Sequence, residues 1–243
     1  MNKTEQYKLT IIVPVYNEQD NIIRLESELA SFLKISKVKS CVVFVNDGSK
    51  DYSQEKLREA CLRHDDMFYL SFEENKGLSA ALKAGIDYAF SEYIGYIDAD
   101  LQTAPEDFNL LLDFAADYAM VTGIRTNRKD SFVKRASSEF ANRFRRMMTH
   151  DGILDTGCPL KVIKTSFAKR IPLFNGMHRF LPALIQLQKN GLVKQIPVQH
   201  YQRIAGESKY NIWNRLWDPL NDCFAFRWMK KRYINYTITD TGL

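Results

Sequence analysis

The chain has 243 residues, of which 45% are hydrophobic and 26% are charged. A chain of this length predicts one domain, or one domain with an appendage, and it buries enough surface to need no disulfide or zinc staple. Its four cysteines lie far apart, which excludes closely spaced zinc and redox motifs. With no export signal and no apolar run long enough to span a membrane, the sequence predicts a cytoplasmic protein.

The net charge of +5 hides an uneven distribution. Residues 1–124 contain 12 Lys and Arg against 21 Asp and Glu, a net charge of −9, whereas residues 125–243 contain 22 against 8, a net charge of +14. The second half should therefore attract anions. Nucleic acid, an anionic membrane surface and a phosphorylated substrate all fit this charge, and composition does not choose among them.

Short β-rich segments alternate with helical patterns in the first half, which predicts parallel βαβ units. The predicted strands are residues 9–15, 41–45, 67–72, 93–97 and 121–124. Helical periodicity covers residues 20–32 and 77–90, and Pro105 marks the start of another helix. Residues 131–148 and 211–233 are typical of basic amphipathic helices, for which a membrane-facing role and ordinary packing are both open.

Polar residues follow four of the predicted strands. In an open α/β sheet, ligands bind outside the carboxyl ends of the strands. The segments in question are residues 14–18, 46–51, 75–77 and 98–102. None of them is a glycine-rich dinucleotide loop or a phosphate-binding Lys-Ser/Thr loop, so dehydrogenases and P-loop NTPases are disfavoured.

Two of these residues, Asp98 and Asp100, suit a metal ion. Carboxylates one residue apart at a strand end can turn toward one hard cation, and Gln102 supplies an amide oxygen nearby. Mg²⁺ or Mn²⁺ held there would stabilise the charge on a departing diphosphate. Taken alone, Asp-Ala-Asp is a weak signal, because short acidic loops are common.

In order and spacing, the strand-end motifs resemble those of glycosyltransferase family 2, and within it the dolichyl- and undecaprenyl-phosphate sugar transferases. The motifs are Pro-Val-Tyr-Asn-Glu at 14–18, Asn-Asp-Gly-Ser-Lys-Asp at 46–51, Asn-Lys-Gly at 75–77, Asp-Ala-Asp-Leu-Gln at 98–102 and Arg-Ile-Ala-Gly-Glu-Ser-Lys-Tyr at 203–210. The resemblance implies an α/β protein with the GT-A fold: a Rossmann-like, mostly parallel central sheet flanked by helices, with C-terminal amphipathic helices.

The same resemblance implies a domain organisation. Residues 1–210 would form the GT-A catalytic domain, with a nucleotide-sugar and metal half at 1–124 and an acceptor half at 125–210. Residues 211–243 would be a basic aromatic C-terminal segment.

Roles for individual residues also follow from the resemblance. The nucleotide-sugar donor would be bound at Pro14, Tyr16, Glu18, Val45, Asp47, Lys76, Asp98, Ala99 and Asp100. The metal, Mg²⁺ or Mn²⁺, would be held by Asp98, Asp100 and Gln102. Acceptor or phosphate binding would fall to Arg125, Arg128, Arg203, Ser208 and Lys209. The catalytic candidates are Asp100 and Asp155, the latter as a general base; its alternative role is that of a turn residue. The segment 155–161, Asp-Thr-Gly-Cys-Pro-Leu-Lys, replaces the commoner apolar-aromatic sequence of the family.

The implied reaction is an inverting, metal-dependent transfer of a hexose from a GDP-mannose or UDP-glucose type of donor to a polyprenyl phosphate. Two alternatives remain: the acceptor is a saccharide hydroxyl, or the chain is a nucleic-acid or membrane binding module. The module is disfavoured because binding alone needs no acids at successive strand ends, and no nucleic-acid partner is expected.

How the chain would reach a lipid acceptor is a separate expectation. The two C-terminal membrane helices of many bacterial relatives are not in this sequence. The chain is therefore expected to act peripherally at the cytoplasmic face of the membrane, directly or through a separate membrane-spanning partner, and a homo-oligomer is open.

Overall fold

A computed structural model describes residues 3–126, 144–201, 217–236 and 239–240, with the backbone alone for 217–220. The strands are β1 (Leu9–Val15), β2 (Ser40–Asn46), β3 (Met67–Ser71), β4 (Tyr93–Tyr96), β5 (Met120–Arg125), β6 (Lys161–Lys164) and β7 (Val193–Val198). The helices are α1 (Ile22–Ile35), α2 (Ser53–Arg63), α3 (Leu78–Tyr88), α4 (Phe108–Leu112), α5 (Thr165–Ala168), α6 (Leu181–Gln186) and α7 (Trp217–Arg232). Helical residues 144–149 follow the first internal gap, and short 3₁₀ turns cover Pro105–Asp107 and Met177–Phe180.

The seven strands form one sheet in the order β3-β2-β1-β4-β6-β5-β7. Strands β1 to β4 pair in parallel, as do β5 and β7, whereas β6 is antiparallel to both β4 and β5. The predicted mostly parallel central sheet is therefore confirmed. Because β6 runs against its neighbours, its first residue, Lys161, lies at the edge where β4 and β5 end.

Helices cover both faces of the sheet because the central strands are apolar on both faces. In β1, Ile11 and Val13 belong to a core shared with α1, α2 and α4, while Ile12 belongs to a second core shared with α3 and α6. All seven residues of β2 are buried. Such strands lack the polar alternation of a half-exposed sheet, which is the pattern expected of a sheet sandwiched between helices.

Helix α7 packs on the second core through Cys223 and Phe226, which are 2% and 1% exposed. The Phe226 ring stacks on Phe180 at a centroid distance of 5.7 Å. On the same helix, Phe224 and Trp228 are each 60% exposed. Within the described part of the chain, no helix is long and apolar enough to cross a membrane.

Candidate active site

The loops after β1 and β2 are held together by reciprocal hydrogen bonds. The Asn17 amide donates to Ser49 Oγ over 2.9 Å, and the Lys50 amide donates to Asn17 Oδ1 over 2.8 Å. Asn17 has a φ of +50°, a left-handed conformation that asparagine tolerates better than most residues. Next to it, the Glu18 amide donates to Ser53 Oγ at the start of α2. Two of the predicted donor-binding motifs thus form one structural unit.

Asp47 fixes the loop between β3 and α3. Its carboxylate accepts hydrogen bonds from the amides of Lys76 (2.7 Å) and Gly77 (2.9 Å) and from Asn75 Nδ2 (2.8 Å). The residue is only 3% exposed. The motifs at 46–51 and 75–77 therefore meet through this carboxylate, and the contact of Asp47 with a nucleoside stays a prediction.

Gly48 is required where these two loops meet. Its φ is +64°, and a Cβ built on it would lie 2.3 Å from the backbone carbonyl carbon of Glu74. The neighbouring atoms are backbone, so they cannot move aside as a flexible side chain would. This glycine gives the Asp-Gly-Ser motif a physical reason that is independent of any ligand.

The other predicted donor residues lie along the same edge. Pro14 is opposite Val45 in the register of β1 and β2, Tyr16 and Glu18 are half-buried, and Ala99 is buried. Lys76 instead directs Nζ to Glu74 over 2.5 Å, and both side chains are exposed. The structure therefore brings the backbone of Lys76 to the Asp47 carboxylate and directs its ammonium to Glu74.

Asp98 and Asp100 follow β4 at the centre of the strand-end surface. Tyr96 donates its hydroxyl to Asp98 Oδ1 over 2.7 Å, and the Gln102 amide donates to Asp100 Oδ1 over 3.2 Å. Burial and then the charge of Asp100 raise the pKa of Asp98 to about 6, although the Tyr96 hydrogen bond opposes the shift. The two carboxylates therefore share one poorly solvated environment.

Backbone strain occurs within the same motif. Leu101 has a φ of +51° and is 3% exposed, which is uncommon for a bulky residue that is not glycine. This turn places the Asp100 carboxylate next to the Gln102 amide. The main-chain carbonyl of Gln102 in turn accepts from the Tyr201 amide (2.9 Å) and His200 Nδ1 (3.2 Å), just after β7.

The donor set at Asp98 and Asp100 fits a hard divalent cation. No group of three or more His, Cys, Asp or Glu side chains with metal-binding geometry occurs in the residues that the structure describes. Two carboxylates are nevertheless the protein ligand set that Mg²⁺ commonly uses when substrate phosphates and water complete its coordination. The repulsion between the two carboxylates is the physical feature that such a cation would relieve.

Arg125 and Asp155 form a bidentate ion pair at the end of β5. Arg125 Nε and Nη2 each lie 2.8 Å from an Asp155 oxygen, and the Arg125 amide donates to the same carboxylate. Burial alone would raise the pKa of Asp155, but hydrogen bonds and charge from Arg125 outweigh it and the pKa is lowered. Gly157 lies under the guanidinium, since a Cβ there would be 2.8 Å from Nη2. The predicted base and the predicted phosphate ligand are thus partners of each other.

Several predicted residues lie outside the described residues: Arg128, Arg203, Ser208 and Lys209, with most of the segment 131–148 and the beginning of 211–233.

The sequence gives His178 a structural role or a place lining the acceptor site, but two features next to this site were not predicted: buried Lys161 and the contact of His178 with Ser79. Lys161 is 1% exposed, donates Nζ to the Cys158 carbonyl, and lies over the Tyr96 ring at 5.6 Å. Ser79, at the start of α3, is hydrogen-bonded to His178 Nδ1 over 2.8 Å. Burial lowers the pKa of His178 to about 3, with the charges of Arg179 and Lys161 adding to the shift, so the imidazole is neutral. The sequence does contain one sign of a buried charge, because Lys161 interrupts the apolar run from Leu160 to Ile163.

Comparison with known families identifies this arrangement. The family model described as glycosyl transferase family 2 matches residues 10–171, which is more than half of the chain. The chain belongs to glycosyl transferase family 2. The match covers all four strand-end motifs of the first half and the Arg125–Asp155 pair.

Two curated relatives carry a polyprenyl phosphate in their names. The chain is 33% identical over 213 residues to an undecaprenyl-phosphate 4-deoxy-4-formamido-L-arabinose transferase of Edwardsiella ictaluri, covering 86% of this chain and 65% of that protein. It is 30% identical over 213 residues to a dodecaprenyl-phosphate galacturonate synthase of Rhizobium johnstonii, covering 86% and 63%. The chain thus spans slightly less than two thirds of the length of these relatives.

Solved structures confirm the GT-A fold expected for family 2. Glucosyl-3-phosphoglycerate synthase from Mycobacterium tuberculosis, in complex with Mn²⁺, UDP-glucose and phosphoglyceric acid, has a TM-score of 0.68 at 14% identity, covering 99% of this chain and 83% of that one. A mannosyltransferase from Pyrobaculum calidifontis, in complex with GDP-mannose and Mn²⁺, has a TM-score of 0.64 at 17% identity, covering 98% and 67%.

Proposed function

We propose that this family 2 chain transfers a sugar from a nucleotide-sugar donor to a polyprenyl phosphate, with inversion at the anomeric carbon. The observation that carries the proposal is the pair of adjacent carboxylates, half-buried Asp98 and buried Asp100, at the strand-end surface of a family 2 domain. The names of the two relatives, both about 30% identical, support a polyprenyl-phosphate acceptor.

Residues 1–124 form the donor half in this proposal. The loops that carry Asn17, Asp47 and Lys76 are joined by hydrogen bonds and by the close packing of Gly48, so they present one continuous surface to the nucleotide. A divalent cation held by Asp98 and Asp100, with Gln102 beside them, would act as a Lewis acid on the departing diphosphate. The Mn²⁺ named in both neighbouring complexes supports this assignment, and Mg²⁺ has the same ligand preference.

Residues 125–210 form the acceptor half. Arg125 brings a guanidinium to the end of β5, where a phosphate oxygen can share it with Asp155. By resemblance, Arg128, Arg203, Ser208 and Lys209 complete the phosphate site. The net charge of +14 over residues 125–243 favours an anionic acceptor over a neutral saccharide.

The reaction requires no proton abstraction when the acceptor is a lipid monophosphate. Its ionised oxygen attacks the anomeric carbon, the carbon–oxygen bond to the diphosphate breaks, and the electron pair leaves with the nucleoside diphosphate. The chain's own residues orient the two substrates and offset their charges. Asp155, held ionised by Arg125, then acts by positioning that guanidinium; as a general base it would matter only for a hydroxyl acceptor.

The names of the two relatives do not identify the donor sugar of this chain, because each specifies a different sugar. Their names specify a formamido-arabinose and a galacturonate, so the common element is the lipid phosphate. GDP-mannose and UDP-glucose are the first donors to test. The complete enzyme would approach its lipid from the cytoplasmic face, peripherally or with a membrane-spanning partner.

The decisive experiment measures where a radiolabelled sugar goes. The chain is incubated with Mn²⁺, labelled GDP-mannose or UDP-glucose, and undecaprenyl phosphate in detergent, and the products are extracted into organic solvent. We expect the label to enter the organic phase as a sugar joined to the phosphate of the lipid, and that phosphate stays in the product. The Asp98→Asn, Asp100→Asn double variant should lower the rate by about a hundredfold or more, because the leaving-group charge is then uncompensated.

Three results would oppose the proposal. Label that passes to an added oligosaccharide and stays in the aqueous phase would favour the saccharide-hydroxyl reading. No transfer from an extended panel of UDP, GDP and CMP sugars, with the protein shown to be folded, would remove the transferase assignment. A double variant as active as the parent would remove the role of Asp98 and Asp100.

A further inference from the structure

A buried lysine lies beside the proposed metal site and has no role in the function proposed above. Lys161 opens β6 and is 1% exposed. In the sheet register it is opposite Tyr96 of β4 and Thr122 of β5. Strand β6 is antiparallel to both neighbours, so this residue lies at the edge where Asp98 and Asp155 also lie.

The contacts of Lys161 lead to the carboxylate of Asp98. Its Nζ donates to the Cys158 carbonyl and lies 5.6 Å from the centroid of the Tyr96 ring. The Tyr96 hydroxyl in turn donates to Asp98 Oδ1 over 2.7 Å. One side of Asp98 is therefore fixed by a tyrosine whose ring faces an ammonium.

Burying this ammonium costs free energy that its neutral partners do not recover. A buried charge without an oppositely charged partner is strongly disfavoured, and the Nζ hydrogen bond goes to a neutral carbonyl, that of Cys158. Burial lowers the pKa of Lys161, and the charges of Asp155 and Asp98 are among the influences that oppose this shift. Within the described residues, the negative charge that favours the ammonium thus comes from nearby carboxylates, those of Asp155 and Asp98, and not from a direct ion pair.

We propose that Lys161 is the internal counter-ion of the metal site, a positioning residue that offsets the charge of Asp98 and Asp100 when no cation is bound. The inference rests on the metal dependence proposed above. It has a direct consequence: the positive charge of Lys161 opposes a divalent cation and lowers its affinity.

The test measures Mn²⁺ binding, with no substrate present. Lys161→Met keeps nearly the same side-chain length and removes the charge. Lys164→Met is the matched control, since Lys164 ends the same strand and also donates to a backbone carbonyl, that of Ala116, over 2.6 Å. Binding is followed at pH 8 through loss of the free-ion electron paramagnetic resonance signal, and thermal unfolding checks that each variant is folded.

Lys161→Met is expected to bind Mn²⁺ about tenfold more tightly than the parent, because one positive charge is removed near a divalent ion in a poorly solvated site. Lys164→Met should bind like the parent. Lys161→Gln, which can still donate to the Cys158 carbonyl, should show the same increase and serves if the Met variant does not fold.

Unchanged or weaker binding in the neutral variants would overturn the inference. So would the absence of Mn²⁺ binding in every protein, or failure of both neutral variants to fold, since Lys161 would then serve folding alone. The result is independent of the extraction assay. Transfer by the parent with unchanged Mn²⁺ affinity in the variants removes only the counter-ion role, whereas tighter binding without any transfer removes only the proposed reaction.

Discussion

Asp98 illustrates how a carboxylate in the candidate site opposes folding. Its pKa in the folded chain is about 6, against an ordinary value of 3.8, because burial and the charge of Asp100 disfavour the ionised form. Between these two pH values the folded chain holds more protons than the unfolded chain. Without metal, stability therefore decreases as the pH rises from about 4 to about 6 and stays lower above that.

Replacing Asp98 should remove this loss. In buffer with a chelator, Asp98→Asn is expected to unfold at a higher temperature than the parent at pH 7.5 and at a similar temperature at pH 4, because the amide cannot ionise. Thermal unfolding followed by circular dichroism measures the difference. Asp117→Asn, at an exposed position, is the control. An Asp98→Asn variant that is no more stable than the parent at pH 7.5 would contradict the electrostatic account.

The Arg125–Asp155 pair makes a different prediction. Its side chains are 16% and 12% exposed, so removing one partner leaves the other charged and poorly solvated. Asp155→Ala should lower the free energy of unfolding by roughly 3 kcal/mol, measured by urea denaturation. The exposed Lys37–Asp113 pair is the matched comparison, with exposures of 49% and 48%, and Lys37→Ala should cost less than about 1 kcal/mol. Equal losses would mean that the Arg125–Asp155 pair is solvated like a surface pair.

At the scale of elements, the loops after β2 and β3 depend on one glycine. Gly48→Ala should destabilise the chain by more than about 2 kcal/mol, since the new methyl group would meet the Glu74 backbone at a left-handed residue. Gly152 has a nearly identical φ, +66° against +64°, but nothing lies within 4 Å of its Cβ position. Gly152→Ala should therefore cost only the backbone strain, about 1 kcal/mol. Urea denaturation of both variants separates the cost of backbone strain from the cost of the clash with Glu74. An equal loss of unfolding free energy in the two variants would exclude a contribution from the clash.

Apolar runs and periodicity predicted strands β1 to β5 and helices α1 and α3. Strand β1 has the predicted bounds, and β2 and β3 differ by a residue at their ends. Strands β6 and β7 were not predicted, because β6 has four residues with a lysine at each end and β7 includes Pro197. Helix α2 was also missed: only Ser53, Leu57 and Ala60 are buried along it, which gives a weak period.

The candidate site also has a part that the sequence predicted and a part that it did not. The strand-end motifs were visible because each follows an apolar run, and the sheet brings them to one edge. The contacts that depend on antiparallel β6, Lys161 with Tyr96 and with the Cys158 carbonyl, could not be read from sequence separation. The same holds for the pairing of Ser79 with His178, 99 positions apart.

At the scale of the whole molecule, helix α7 shows where part of the positive charge of residues 125–243 lies. Phe226 and Cys223 fix one side of this helix to the domain, and the Lys230 ammonium donates to the Thr149 carbonyl over 3.0 Å. The side that carries Phe224 and Trp228 is exposed, and the helix ends in Lys230, Lys231 and Arg232. Exposed aromatics beside a basic cluster are typical of surfaces that bind anionic bilayers.

This arrangement predicts membrane binding without a membrane span. The chain should float with vesicles containing phosphatidylglycerol but not with phosphatidylcholine vesicles, and the bound fraction should fall as salt is raised. A double Phe224→Ser, Trp228→Ser variant should bind at least about tenfold more weakly, since both rings then leave the interface. Leu62→Ser is the control, because Leu62 is 87% exposed on α2 within the acidic half. Binding that is equal in the double variant and in the control would place the contact elsewhere, and binding that is insensitive to both lipid charge and salt would exclude electrostatic attraction as its cause.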